Sequence, residues 1–177
     1  NGPLTSRLQH IQPGDDLLVS RKPTGTLLIS DLHPGRNLYL LATGTGLAPF
    51  LALIRDPETW RRFEQVVLVH SVRSVAELAY RAEIEALEEP RLHYVPTVTR
   101  EPFPTPERGA ELFRSGELSR RLGLPAPDPG LDRVMICGNP AMTRELTDHL
   151  KSSGWTISNH RGVGNFTTEI AFVLHHE

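Results

Sequence analysis

A glycine-containing run could bind a phosphate group where an apolar stretch gives way to a helical pattern. Residues 43–49, Thr43-Gly44-Thr45-Gly46-Leu47-Ala48-Pro49, follow the apolar stretch 38–42. Glycines let a backbone turn sharply and approach an anion, and the free N–H groups of a following helix favour a pyrophosphate. Pro49 replaces the third glycine of the usual dinucleotide fingerprint. The run therefore predicts a pyrophosphate site, and a tight strand-to-helix turn is the alternative.

Three arginines follow the next two apolar stretches and could recognise a second phosphate. A carboxylate after the second stretch would bind a ribose 2'-hydroxyl, but the chain has His70-Ser71-Val72-Arg73 there. Arg73, together with Arg100 and Arg108 after the third stretch, would instead attract a 2'-phosphate. The pattern favours NADP(H) over NAD(H). For each arginine alone, a solvated surface position is the alternative.

The single cysteine of the chain, Cys137, ends the fourth apolar stretch. A residue at the carboxyl end of a parallel strand faces the ligand crevice of such sheets. The alternative is a small buried core residue. One cysteine excludes internal disulfides, and the chain has no zinc-type ligand spacing, so we expect no metal site and a reducing, cytoplasmic location.

Composition excludes two classes of partner. The 177 residues have a net charge of -2, and no apolar run approaches the roughly 18 residues of a membrane span. Neither nucleic acid nor a membrane is therefore expected as a partner. The chain does not begin with Met, and from this we expect it to begin inside a longer protein.

The elements that must position these residues alternate between strands and helices. Apolar strands are predicted at 38–42, 66–70, 93–98, 133–137 and 169–173, and helices at 47–54, 58–63, 75–87 and from Pro140 to a stop at Gly154. This alternation predicts an α/β fold with a five-stranded parallel sheet and helices on both faces. Residues 1–36 differ, with a helical turn at 4–8 and a short strand at 16–21, so we divide the chain into 1–36 and 37–177.

Five runs of this chain resemble a known family. They are GPLTSRL at 2–8, TGTGLAPF at 43–50, ELAY at 77–80, PTVTRE at 96–101 and VMICGNPAM at 134–142. Together they resemble the C-terminal part of bacterial ferredoxin–NADP(H) reductases, also called flavodoxin–NADP(H) reductases, over essentially every residue. The resemblance implies that 1–36 is the end of an FAD-binding barrel and that 37–177 is the NADP(H)-binding domain.

The resemblance also implies roles for individual residues. Thr43 and Gly44 would lie near the nicotinamide, residues 46–49 near the pyrophosphate, and the three arginines around the 2'-phosphate. Cys137 would lie beside the nicotinamide, near the flavin, and Glu169 near the site of hydride transfer. The remaining cofactor contacts implied are Leu4, Thr5, Ser6, Thr45, Thr99, Gly138, Met142 and Phe172.

One position departs from plant-type members of that family, which end in a tyrosine that stacks on the flavin. Here Ala171 occupies the position two residues after Glu169, and six residues follow it. Phe172 or the tail after it is expected to cover the ring instead. The alternative for Phe166 and Phe172 is packing of the last strand.

The function implied is hydride transfer between NADP(H) and FAD, followed by electron transfer to ferredoxin or flavodoxin by a monomer. The barrel's FAD motif, Arg-x-Tyr-Ser, is not found in these residues, so this chain alone is expected to bind NADP(H) without reducing an acceptor. Two alternatives are the reductase component of an oxygenase or flavohaemoprotein and a nucleotide-binding module without turnover. The first often prefers NADH, and the three arginines argue against it.

Overall fold

The computed structural model describes residues 4–21, 25, 27–159 and 162–171. Its central feature is a parallel sheet of five strands in the order β3-β2-β1-β4-β5. The strands are β1 (Asn37–Thr43), β2 (Gln65–Val72), β3 (Leu92–Val98), β4 (Arg133–Gly138) and β5 (Phe166–Ile170). The predicted α/β fold with a parallel sheet is confirmed.

The sheet is covered on both faces, as strands with unbroken apolar runs require. Leu40 of β1 packs into a cluster on one face, while its neighbours Tyr39 and Leu41 pack into a cluster on the other. All three are at most 1% exposed. Successive side chains of a strand point to opposite faces, so β1 holds the two halves of the core together.

Helices cover both faces of the sheet. The helices in the described residues are α1 (Thr5–Leu8), α2 (Leu47–Leu53), α3 (Pro57–Arg62), α4 (Arg81–Glu85), α5 (Gly109–Arg114), α6 (Glu117–Leu122) and α7 (Pro140–Ser152). Helix α1 buries no residue. Phe50 of α2 lies in one cluster, and Leu112 of α5 and Leu146 of α7 lie in the other. The helices predicted over 47–54, over 58–63 and from Pro140 are confirmed, and Gly154 ends α7 with a φ of +83°.

The helix predicted over 75–87 is wrong. A 3-10 turn covers Val75–Glu77, Tyr80 adopts a left-handed φ of 60°, and only Arg81–Glu85 is α-helical. Leu78 packs with Val72 and Val98, the last residues of β2 and β3, whereas Ile84 packs into a separate, larger cluster of the core. A continuous helix over 75–87 would not make both contacts.

Two predicted strands differ from the structure. Residues 16–21 form no strand: they are exposed, and an isolated strand has no partner for its backbone groups. The last strand begins at Phe166 rather than at Glu169, because the fully buried Phe166 pairs with Val134 of β4. The end of the predicted strand, 172–173, lies outside the described residues.

Residues 27–36 pack against the sheet although they precede β1. Leu27, Ile29 and Leu32 are buried in the same cluster as β1. Arg62 of α3 donates from Nη1 to the Ile29 carbonyl at 2.7 Å and from Nη2 to the Leu32 carbonyl at 2.8 Å. This segment is therefore fixed to the α/β core, while the boundary at residue 36 stays a prediction.

Candidate functional site

The strand order creates a crevice at the carboxyl end of β1. Strand β1 lies between β2 and β4, so the connections that leave β1 and β4 run to opposite sides of the sheet. Ligands of open parallel sheets bind at such a point, outside the carboxyl ends of the strands. The run 43–49 starts at this end of β1: a 3-10 turn covers Gly44–Gly46, and α2 follows from Leu47.

Two glycines allow close backbone approach beside β4. A methyl group on Gly46 would overlap the Cys137 carbonyl, and one on Gly138 would overlap Thr43 Oγ1. Gly44 adopts a φ of +52°, which glycine tolerates at little cost. Glycines at these positions therefore bring the ends of β1 and β4 together.

Asn139 links the end of β1 to the start of α7. Its backbone N–H donates to Thr43 Oγ1 at 2.8 Å, and its side-chain Nδ2 lies 3.2 Å from the same oxygen. Its Oδ1 accepts a hydrogen bond from the Met142 N–H and so caps α7. Asn139 was not among the predicted site residues, although an asparagine before a first-turn proline is a helix-start signal.

A cleft of about 160 Å³ lies where these elements meet. Its lining residues come from the ends of β1 and β2, the loop after β3 and the starts of α5 and α7: Thr43, Ser71, Val72, Thr99, Arg108, Gly109, Ala110, Asn139, Ala141 and Met142. The structure thus brings together four predicted site residues, namely Thr43, Thr99, Arg108 and Met142. Ser71 and Gly109 were missed.

The missed residues form the buried wall of the cleft. Ser71 Oγ accepts hydrogen bonds from Thr97 Oγ1 at 2.8 Å and from the Gly109 N–H at 3.0 Å. A methyl group on Gly109 would overlap Ser71 Oγ and the side chain of Val69. In the sequence, Ser71 and Gly109 are marked only as small residues at the end of a strand and at the start of a helix. Such residues are too common to indicate a binding site.

Arg73 and Arg100 are neighbours at the carboxyl edge of the sheet. The Arg100 N–H donates to the Arg73 carbonyl at 2.9 Å, which continues the pairing of β2 with β3. Within the described part of the chain, neither guanidinium makes a hydrogen bond or an ion pair. Nearby carboxylates accept bonds from backbone N–H groups: Glu77 from Arg73 at 3.2 Å and Glu101 from Val75 at 2.9 Å.

Arg108 lies just before α5 and lines the cleft. Its side chain is 62% exposed and forms an ion pair with Glu145 of α7 at 3.2 Å. Whether the three arginines hold a 2'-phosphate stays a prediction, but Arg108 and Thr99 line one cleft, and Arg100 directly follows Thr99.

Cys137 and Glu169 lie side by side on adjacent strands. They are register partners of β4 and β5, and Cys137 also pairs with Ala42 of β1. Cys137 is 3% exposed. Burial, followed by the charge of Glu169, raises the pKa of the Cys137 thiol to about 11. The group is therefore a neutral thiol at physiological pH, poorly suited to act as a nucleophile.

The other predicted cofactor contacts are not among the residues that line the cleft. Leu4, Thr5 and Ser6 lie at the start of α1, where Leu4 is 66% exposed. Gly44 to Pro49 and Gly138 shape the crevice without lining the cleft. Phe172 lies outside the described residues, so its predicted role stays a prediction.

The described residues contain neither a candidate metal centre nor a candidate membrane span. No group of three or more His, Cys, Asp or Glu side chains there is arranged to hold a metal ion. No helix there is long and apolar enough to cross a membrane.

Comparison with known proteins identifies the family. Residues 40–148 match the family model described as the oxidoreductase NAD-binding domain. The chain is 54% identical to the ferredoxin–NADP reductase of Azotobacter vinelandii and 53% identical to that of Pseudomonas aeruginosa; each alignment covers 98% of this chain and 71% of the relative. The chain belongs to the ferredoxin–NADP reductase family. Members of this family are oxidoreductases, so the predicted family and enzyme class are confirmed.

Solved structures agree with this assignment. A ferredoxin–NADP reductase from Neisseria gonorrhoeae, crystallised with bound FAD and NADP, superposes with a TM-score of 0.86 at 33% identity and covers 97% of this chain and 71% of its own. A flavohaemoglobin from Malassezia yamatoensis shares the fold alone, with a TM-score of 0.65 at 22% identity over 97% of this chain and 41% of its own. The first likeness is thus the one that bears on the reductase family.

Proposed function

We propose that this chain binds NADP(H) across the crevice at the carboxyl end of β1 and serves hydride transfer between NADP(H) and FAD, with ferredoxin or flavodoxin as the electron partner. The observation that carries the proposal is a cleft at the switch point of the sheet with Arg108 in its wall and Arg100 next to a lining residue. The Azotobacter relative and the gonococcal reductase with FAD and NADP support it.

The residues present fit a phosphorylated dinucleotide. The guanidinium groups of Arg73 and Arg100, which pair with no residue that the structure describes, offer charge-assisted donors to a phosphate. The first turn of α7 supplies Ala141 and Met142 to the cleft, and the start of a helix favours an anion. Gly138 and Gly109 let the backbone lie directly against Thr43 and Ser71, two residues that line the cleft.

FAD, when bound, supplies the redox chemistry, since it exchanges a hydride with nicotinamide and single electrons with a carrier protein. The chain's own part is to bind and orient. Thr43, fixed by two hydrogen bonds from Asn139, would set the position of the nicotinamide end. Leu4, Thr5 and Ser6 are the residues we propose for contact with FAD.

Cys137 and Glu169 are proposed to border the nicotinamide. The neutral, buried Cys137 thiol excludes water from that end of the crevice and adds no charge. Glu169, its neighbour on β5, is half-buried and places a carboxylate beside it. We propose that this carboxylate orients groups or relays a proton at the hydride-transfer site.

Steady-state kinetics of the natural protein test the function. We expect the purified protein to carry FAD and to reduce ferredoxin with NADPH at a kcat/KM well above that with NADH. A preference for NADH would favour the reductase component of an oxygenase instead. A colourless protein that binds NADP+ and reduces no acceptor would contradict the reductase function and favour a nucleotide-binding module without turnover.

Three finer features accompany the proposal. Flavodoxin as an alternative carrier, a monomeric state and a cytoplasmic location all stay predictions. Competition between ferredoxin and flavodoxin in the kinetic assay tests whether flavodoxin is an alternative carrier. Size-exclusion chromatography with light scattering tests the monomeric state.

A further inference from the structure

One carboxylate, Glu145 of α7, lies between two arginines of different exposure. Arg108 reaches it with Nη1 at 3.2 Å and Nη2 at 3.4 Å, and Arg114 of α5 reaches it with Nη1 at 2.6 Å. The side chain of Glu145 is 23% exposed, that of Arg114 is 39% exposed and that of Arg108 is 62% exposed. The three side chains carry one negative and two positive charges.

The two ion pairs differ in strength. Charge-assisted hydrogen bonds between a guanidinium and a carboxylate are typically about 2.7–2.9 Å long. The Arg114 contact, at 2.6 Å, is slightly shorter than this range, whereas both Arg108 contacts are longer and Arg108 is the more exposed partner. Glu145 is therefore paired mainly with Arg114, and the net positive charge of the group is left on Arg108.

Only one of the two arginines faces the cleft. Arg108 lines it, whereas Arg114 does not. Arg114 also lies 3.5 Å from Glu111, an exposed and loose contact within α5. A phosphate that enters the cleft must compete with Glu145 for Arg108, and the strength of that competition depends on how firmly Arg114 holds Glu145.

We propose that Arg114 is a positioning residue for nucleotide specificity: it holds Glu145 and so keeps the charge of Arg108 available for the 2'-phosphate of NADP(H). This inference rests on the proposed function, in which Arg108 contacts that phosphate. Glu145 Oε1 accepts from both Arg114 and Arg108, so without Arg114 the two existing contacts between Glu145 and Arg108 would tighten and neutralise Arg108. Binding of NAD(H), which lacks the phosphate, is independent of this competition.

Isothermal titration of the 177-residue chain with NADP+ and with NAD+ tests the proposal. Arg114→Gln is expected to raise the Kd for NADP+ about two- to fivefold, the range set by one exposed ion pair, and to leave the Kd for NAD+ unchanged. The double variant Arg114→Gln/Glu145→Gln removes the competing carboxylate and is expected to restore NADP+ binding to the wild-type value or tighter.

Arg120→Gln is the matched control. Arg120 lies on α6, pairs with Glu117 at 2.6 Å and does not line the cleft. Its substitution therefore removes the same charge from the molecule without changing the cleft. If Arg114→Gln behaves like this control, or if the double variant stays weak, the inference is overturned. The second outcome would mean that Glu145 orients Arg108 rather than competing for it.

Arg108→Gln separates this inference from the proposed function. A loss of NADP+ affinity in Arg108→Gln without a loss in Arg114→Gln overturns the role of Arg114 alone. Unchanged NADP+ affinity in Arg108→Gln overturns both, because the phosphate then lies elsewhere.

Discussion

The Arg73 guanidinium makes no hydrogen bond or ion pair with the described part of the chain, although the Arg73 backbone is hydrogen-bonded to Arg100 and Glu77. A long cationic side chain left unpaired beside a cleft is available to a ligand. Arg73→Ala removes this donor without removing a structural ion pair. The variant therefore reports on ligand binding more than on folding.

We expect Arg73→Ala to weaken NADP+ binding by about 1.5–3 kcal/mol, the usual worth of a hydrogen bond to a charged group, and to leave NAD+ binding nearly unchanged. Isothermal titration with both nucleotides measures the difference. Arg120→Ala is the control for loss of charge. Equal losses for both nucleotides would show that Arg73 does not contact the 2'-phosphate.

Burial of the Cys137 thiol predicts a loss of protein stability at alkaline pH. Its folded pKa of about 11 lies above the ordinary thiol value of 9.0, so the folded state holds this proton more tightly than the unfolded state. The resulting stability is present below about pH 9 and is lost as the pH rises towards 11. We expect the stability of the wild type to fall more steeply than that of Cys137→Ala over this window, as measured by urea unfolding. Parallel curves would place the thiol in a less buried environment.

At the scale of elements, the ends of β1 and β4 are held by close backbone contact. Gly138 leaves no room for a methyl group because Thr43 Oγ1 and Met142 Cε occupy the space. Thr43 in turn accepts the two hydrogen bonds from Asn139 that fix the start of α7. A substitution at Gly138 therefore affects both the stability of the fold and the shape of the cleft.

Gly138→Ala is expected to lower the free energy of unfolding by about 1–3 kcal/mol, the usual cost of overpacking, and to weaken NADP+ binding in the residual folded protein. Urea unfolding and nucleotide titration measure the two effects. Gly162→Ala is the matched control, since a methyl group there meets nothing within 4 Å. A Gly138→Ala variant as stable as this control would contradict the close contact.

Elements whose signal is local were predictable, and those that depend on distant contacts were not. The buried strands were found from their apolar runs, and the start of α7 from Pro140. The helix over 75–87 was wrong because its residues follow a helical period, whereas Leu78 and Ile84 pack into different clusters. The left-handed Tyr80 that separates them has no glycine to signal it.

At the scale of the whole molecule, the parts of the site that depend on contacts between distant segments could not be predicted either. Thr43, Arg108 and Met142 could be placed near one edge of the sheet because each follows or precedes a strand. The pairing of Arg108 with Glu145 joins residues 37 positions apart and follows only from the docking of α5 against α7. The buried Ser71–Gly109 contact likewise depends on a distant contact, the docking of α5 against β2.

The central claim is that one crevice, at the carboxyl end of β1, holds a phosphorylated dinucleotide. Titration of the isotopically labelled chain with NADP+, followed by backbone amide chemical shifts, tests it directly. We expect saturable shifts confined to 43–46, 71–73, 99–100, 108–110 and 139–142, with weak shifts at 73 and 100 when NAD+ replaces NADP+. Shifts concentrated instead at the opposite end of the sheet, around 128–133, would contradict it.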